Sequence, residues 1–187
     1  MHKQTFKKQI MKGFTLVELL IVVIILAILA AIVVPQFAST TDDAKLSALD
    51  TTLSNMRAAI DLYYQQHGEY PGDLIASGGS CPSGGTAGGG AAGSAAAFTS
   101  QLSMYTDKDG LACSTTDAVT FKYGPYLKKS TLPNNPITDV NTLVVATGGN
   151  LIMTVQAKKG WTYDTKTGKF IADDSTLDPT GVAYSEH

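Results

Sequence analysis

Sixteen consecutive apolar residues, Leu19 to Val34, give way further along the chain to a stretch in which apolar positions recur at helical spacing. From Phe14 to Val34 there are 21 residues, about 31 Å as a helix, enough to span a bilayer core. Pro35 follows, and a proline inside a helix removes a donor and bends the axis without always ending it. Beyond it Leu46, Leu49, Leu53, Met56, Ile60 and Tyr63 are spaced 3, 4, 3, 4 and 3 apart. That is one stripe of an amphipathic helix, to be buried against a C-terminal domain. Gly68 and Tyr70-Pro71-Gly72 end the pattern, so one helix is predicted from Phe14 to His67.

Residues 77–97 carry eight glycines between Gly78 and Gly93 with many Ala and Ser, a composition that buries little and predicts a mobile loop. From Val119 the period becomes two. Val119–Tyr123, Thr142–Thr147, Leu151–Ala157, Trp161–Asp164 and Lys169–Ala172 read as strands. Gly148-Gly149-Asn150 and Lys166-Thr167-Gly168 mark two hairpins. The fold class is α+β: a long N-terminal helix, its second half packed on an antiparallel sheet.

Charge adds an orientation. Lys3, Lys7, Lys8 and Lys12 stand before the apolar run with no acid among residues 1–13, leaving ten basic and sixteen acidic side chains for the rest. The leading lysines stay cytoplasmic and the chain after Val34 crosses. An ordinary secretory signal peptide has a shorter apolar run and a small-x-small cleavage site. Neither is found here before Pro35, and Glu18 would be misplaced in one. The acidic remainder argues against nucleic-acid binding, which needs clustered Lys and Arg, and Lys128-Lys129 and Lys158-Lys159 read as solvated pairs.

Enzymatic chemistry has little to stand on. His2, His67 and His187 offer no Ser-His-Asp or Cys-His set, and Gly88-Gly89-Gly90 does not lie between a strand and a helix as a phosphate loop would. Cys81 and Cys113, on the non-cytoplasmic side, point to a disulfide and have no zinc spacing. Asp164, Asp173, Asp174 and Asp178 read either as a solvated acidic tail or as calcium ligands, for which six to eight oxygens are needed.

Glu18 is the sharpest feature. A carboxylate in hydrocarbon costs about 2.5–3.5 kcal/mol on insertion scales, so it is rarely there without a task. The block Lys12-Gly-Phe-Thr-Leu-Val-Glu-Leu-Leu20 closely resembles the processing site of type IV pilins and of type II secretion pseudopilins, specifically over Lys12 to Pro35. The resemblance implies cleavage between Gly13 and Phe14 by a membrane prepilin peptidase, methylation of the new Phe14 amine, and recruitment of the adjoining subunit by Glu18. Pro35 would match a helix-bending point. It further implies a calcium site in the C-terminal loops of major pseudopilins, but the aspartate-rich motif expected there is not recognisable, so no cofactor is assigned.

Residues 1–13 would then be a leader, 14–34 the transmembrane and filament-core helix, and 35–68 its amphipathic continuation. Residues 69–118 would be a glycine-rich connection and 119–187 the sheet domain. The expected function is a non-enzymatic pilus-like filament subunit, foremost a type II secretion pseudopilin. The rivals are a type IV pilin of a surface fibre serving adhesion, motility or DNA uptake, and a minor tip or adhesin subunit. Its partners would be copies of itself, related minor pilins, the peptidase, an inner-membrane assembly platform and inner-membrane lipid. The domain would face the periplasm before entering a periplasmic or extracellular filament. The glycine-rich insertion after Tyr70-Pro71 and the cysteine pair away from the C-terminal end depart from the pattern.

Overall fold

The computed structural model describes residues 13–82, 84–149, 156 and 158–187, with the side chains of 34–39 excepted. Helix α1 runs from Leu16 to His67, as the apolar pattern predicts to within two residues. The chain divides into two compact units, one up to Asp42 and one from Asp43 to His187. In the first, the eighteen residues Leu16–Val33 have a mean hydropathy of 3.3 and none is buried within the protein. A helix apolar on every side needs lipid or other helices around it. The bend expected at Pro35 falls among side chains outside those described, and the backbone there is assigned to the helix.

In the second unit the helical stripe is the core. Leu49, Leu53, Met56, Ile60 and Tyr63 are fully buried against Phe98, Leu102, Leu132, Trp161, Tyr163 and Phe170, with Leu46 at the edge. The residues facing them come from a second helix, α2 (Ala95–Ser103), from short strands and, at Leu132, from a loop. Strands β1 (Tyr105–Thr106) and β2 (Ala112–Cys113) pair antiparallel. Strands β3 (Leu143–Ala146), β4 (Trp161–Asp164) and β5 (Phe170–Ala172) form a sheet in that order. The β4–β5 hairpin is the one read from the sequence. Asp164 Oδ1 accepts from the amides of Lys166 (2.7 Å) and Thr167 (3.1 Å), closing the turn. Gly168 completes it at φ +70°, where a Cβ would enter the Tyr70 ring.

Three expectations are corrected. Strand β3 pairs with β4 in parallel, Leu143 opposite Trp161, so the sheet is mixed and not wholly antiparallel; the hairpin expected around Gly148-Gly149-Asn150, with its strand at 151–157, lies outside the described residues except for Gly148, Gly149 and Gln156. Residues 119–123 form no strand, only a bridge between Thr106 and Tyr123. There Asp117 Oδ1 gathers the amides of Val119, Thr120 and Phe121 and curls the chain. That leaves Val119 81% exposed while Phe121 is buried.

The third correction concerns the glycine-rich segment, which is pinned to its neighbours at several points while much of it stays exposed. Gly88 N donates to Ala112 O (2.7 Å), Ala76 N to Gly90 O (3.2 Å) and Gly93 N to Gly72 O (2.7 Å). A Cβ on Gly90 would strike the backbone of Ala96 and Ala97 at the start of α2. The glycines permit backbone-to-backbone contact, and Ala76, Ala97 and Ala112 form a small buried cluster beside them. Ser94 caps α2 by accepting from Ala97 N (3.1 Å). The buried Gln101 ties these layers together. Its Oε1 accepts from Gly72 N (2.5 Å), and its Nε2 donates to Leu74 O (3.3 Å) and Gly110 O (2.9 Å).

Cys81 and Cys113 are bonded, closing a loop across a sequence separation of 32. Loop-closure entropy gives such a bond about 3–4 kcal/mol. Cys81→Ser with Cys113→Ser is expected to lower unfolding stability by that amount in urea titration of the full chain in detergent.

Candidate functional site

Gly13, Phe14 and Thr15 precede the helix in non-helical backbone, and Phe14 is 80% exposed. Among the described residues, no atom outside its chain neighbours lies within 4 Å of where a Gly13 Cβ would stand. One turn on, Glu18 folds back onto the helix start. Its Oε2 accepts from Thr15 N–H (2.9 Å) and from the Thr15 hydroxyl (2.6 Å), while Thr15 Oγ1 accepts from Glu18 N–H (3.3 Å). This is a reciprocal capping box. The Thr-x-x-Glu spacing ahead of an apolar run was its sequence signal, and Thr15 is the site residue that the sequence reading passed over.

The other candidates serve the fold. Asp164, Asp173, Asp174 and Asp178 are buried, not a solvated tail. Asp173 Oδ1 accepts from Gln156 N (2.6 Å), and Asp174 Oδ1 accepts from Thr176 N (3.0 Å). Asp178 Oδ1 accepts from Thr180 N (2.8 Å) and Val182 N (2.9 Å), which with the Thr180 hydroxyl hold its carboxyl below the ordinary range against the opposing effect of burial. The second oxygens of Asp164, Asp173 and Asp174 find no partner among the described residues. Two or three such oxygens fall short of a calcium shell. Among the described residues no group of three or more His, Cys, Asp or Glu side chains is placed to hold a metal.

His67 stacks on Tyr63 with ring centres 4.0 Å apart, its Nε2 3.0 Å from Thr106 Oγ1. Burial depresses its pKa below the usual 6.5. The unfolded chain therefore binds the proton first as pH falls, so His67 costs the fold stability on going below about pH 6.5. His67→Gln is expected to flatten the pH dependence of unfolding just below that value, read as midpoint against pH beside the parent. Burial also raises the hydroxyl pKa values of Tyr63 and Tyr163, and pushes that of Tyr126 up to about 12, so these tyrosines stay neutral as core members.

An exposed Gly13–Phe14 junction, a capped carboxylate and a helix segment apolar on all sides thus follow one another within the first 33 residues. Residues 10–34 match the family described as the prokaryotic N-terminal methylation motif. The chain is 39% identical over 67 residues to a fimbrial protein of Neisseria meningitidis, covering 36% of this chain and 39% of that one. It is 42% identical over 59 residues to type II secretion system core protein G of Pseudomonas aeruginosa, covering 32% and 42%. It is also 48% identical over 48 residues to the type IV narrow pilus major component PilA5 of Thermus thermophilus, covering 26% and 41%. The chain thus spans about two-fifths of the length of the curated relatives it matches. Those relatives are structural subunits and not enzymes. No solved structure matches the chain.

Proposed function

We propose that this chain is a structural subunit of a pilus-like filament, cut between Gly13 and Phe14, methylated on Phe14 and assembled through its N-terminal helix. The observation that carries the reading is Glu18. It is the one charged side chain between Phe14 and Val34, in a helix with no polar face, a turn from an exposed junction. A buried charge is tolerated when paired, and cleavage would create an ammonium on Phe14. In helices staggered along an axis, the amine of one subunit meets the carboxylate of the next. The apolar segment then anchors the subunit in the inner membrane and later fills the filament core, while the second unit faces the periplasm. The prepilin peptidase, an assembly platform and minor pilins are the partners that this processing calls for.

The test is intact-mass and N-terminal peptide analysis of protein from its native membrane. A chain beginning at Phe14 and heavier by one methyl group is expected. A start at Met1 or Met11 would mean an unprocessed anchor, and a start beyond Val34 would mean a cleaved signal peptide and end the filament reading.

Within the class we favour a type II secretion pseudopilin, supported by His67-Gly-Glu-Tyr-Pro-Gly72 at the end of α1 and Gly124-Pro-Tyr-Leu-Lys-Lys129 ahead of the sheet. The surface-fibre alternative is supported by the fimbrial relatives. Deleting the gene separates them: exported enzymes stranded in the periplasm mark the first, lost surface fibres the second. A tip or adhesin subunit would need a free display loop, whereas within 77–97 Gly88, Gly90 and Gly93 are hydrogen-bonded to Ala112, Ala76 and Gly72. We propose no cofactor. Added calcium or chelator is expected to leave the unfolding midpoint unchanged, and a rise with calcium would assign an ion to Asp173 and Asp174.

A further inference from the structure

We infer that the hydrogen bond between His67 and Thr106 is an acid-released latch, holding strand β1 and the chain after it to the end of α1. The latch does not depend on what the subunit assembles into. His67 is the last residue of α1, and Thr106 stands in β1, 39 residues on. Thr106 is fully buried. Its backbone exchanges hydrogen bonds with Tyr123 (3.0 and 3.2 Å) and stands opposite Ala112 in β2. One side chain therefore ties β1, β2 and the stretch at Tyr123 to the helix.

Only one neutral form of the imidazole fits. Nδ1 lies 3.0 Å from the carbonyl of Tyr63, which can only accept, so Nδ1 carries the proton. Nε2 is then an acceptor, and the Thr106 hydroxyl, 3.0 Å away, donates to it. A second proton enters at Nε2 and turns that acceptor into a donor. The Thr106 hydroxyl must then swing its hydrogen away from His67, towards Tyr126, which it also reaches. The cation is left among rings: Tyr63 stacked on it at 4.0 Å, Tyr123 edge-on at 5.0 Å and Tyr126 at 6.3 Å.

The charges around it do not rescue the cation. Asp107, next to Thr106, has Oδ1 engaged by the amides of Asp109 (3.0 Å) and Leu111 (2.8 Å), and Lys108 and Asp109 pair with each other in the same turn. Lys122 lies over the far ring, 5.3 Å from the centre of Tyr123. Among the described residues no carboxylate forms an ion pair with His67. Burial outweighs the carbonyls of Tyr63 and Asp107 and the charge of Asp107, so the latched ring titrates below 6.5. Once the latch opens, the ring meets water and recovers its ordinary affinity for protons. As pH falls below about 6.5 the open form is protonated first, and opening grows by up to about tenfold per pH unit until the closed form is protonated too.

Hydrogen exchange of the full chain in detergent, read by mass spectrometry from about pH 8 down to about pH 5 and corrected for the intrinsic rate, tests the latch. Peptides from residues 104–126 are compared with peptides from β4 and β5. In the parent, protection of 104–126 is expected to fall by up to about tenfold per pH unit below about pH 6.5, while β4 and β5 stay protected. His67→Gln is expected to remove that slope. Thr106→Val keeps the shape without the hydroxyl and is expected to lose about fivefold in protection of 104–126 already at about pH 8, the worth of one hydrogen bond. Thr106→Ser is expected to match the parent. A slope that persists in His67→Gln, equal loss in β4 and β5, or parental protection in Thr106→Val overturns the latch. An unfolded His67→Gln leaves the two Thr106 variants to decide.

Discussion

Glu18→Lys is expected to abolish filaments while the subunit still inserts in the membrane and is still cut before Phe14. Insertion survives because lysine at a helix end reaches the interface with its long stem, and the sixteen apolar residues from Leu19 are untouched. Assembly fails for two reasons that add. In the proposed assembly, the substitution removes the partner of the incoming amine and sets a second cation beside it. Breaking one member of a desolvated ion pair costs about 3–5 kcal/mol, about two to three and a half orders of magnitude in each subunit contact. A polymer repeats that loss at every junction. The helix start also loses the carboxylate that caps it through Thr15. Sheared-filament sedimentation beside intact mass would show processed, methylated subunit and an empty filament fraction. Filaments at parental yield would remove Glu18 from assembly.

The second large effect is expected from Phe98→Ala. Phe98 is fully buried, with its ring 4.4 Å from that of Tyr163 and 6.2 Å from that of Phe170, and its Cβ beneath Gly72. Truncating a buried Phe costs about 3–5 kcal/mol through lost transfer energy and the cavity left behind. That is a third or more of the stability of an ordinary domain. Urea unfolding of the full chain in detergent measures it, with the second unit as the cooperative element. A loose glycine-rich connection between residues 69 and 118 would give almost no change, so a null result would reinstate the loop and remove α2 from the core.

That contrast shows where the sequence speaks and where it is silent. The stripe from Leu46 to Tyr63 is legible because a helical period and burial are the same fact seen twice. The hairpin at Asp164–Phe170 is legible because its turn chemistry is local. The glycine-rich stretch misleads because composition reports missing side-chain volume, not what occupies the space. At Gly88 that space is taken by the Cβ atoms of Ala112 in β2 and Ser100 in α2, and at Gly90 by the backbone of α2. The partner of β3 is hidden because parallel pairing leaves no local mark. Of the site, Gly13, Phe14 and Glu18 stand out as a block, whereas Thr15 looks like any polar residue beside a lipid-facing run until the bond directions are seen.

Arg57, on α1, donates to the carbonyl of Phe170 in β5, 113 residues later, and the stripe around it is covered by Trp161, Tyr163 and Phe170. During synthesis α1 is therefore complete long before its covering strands exist. At 5–20 residues per second, its apolar face waits about 5–20 s for them. For that interval the ridge that those strands will cover stays open to water and to any other apolar surface it meets.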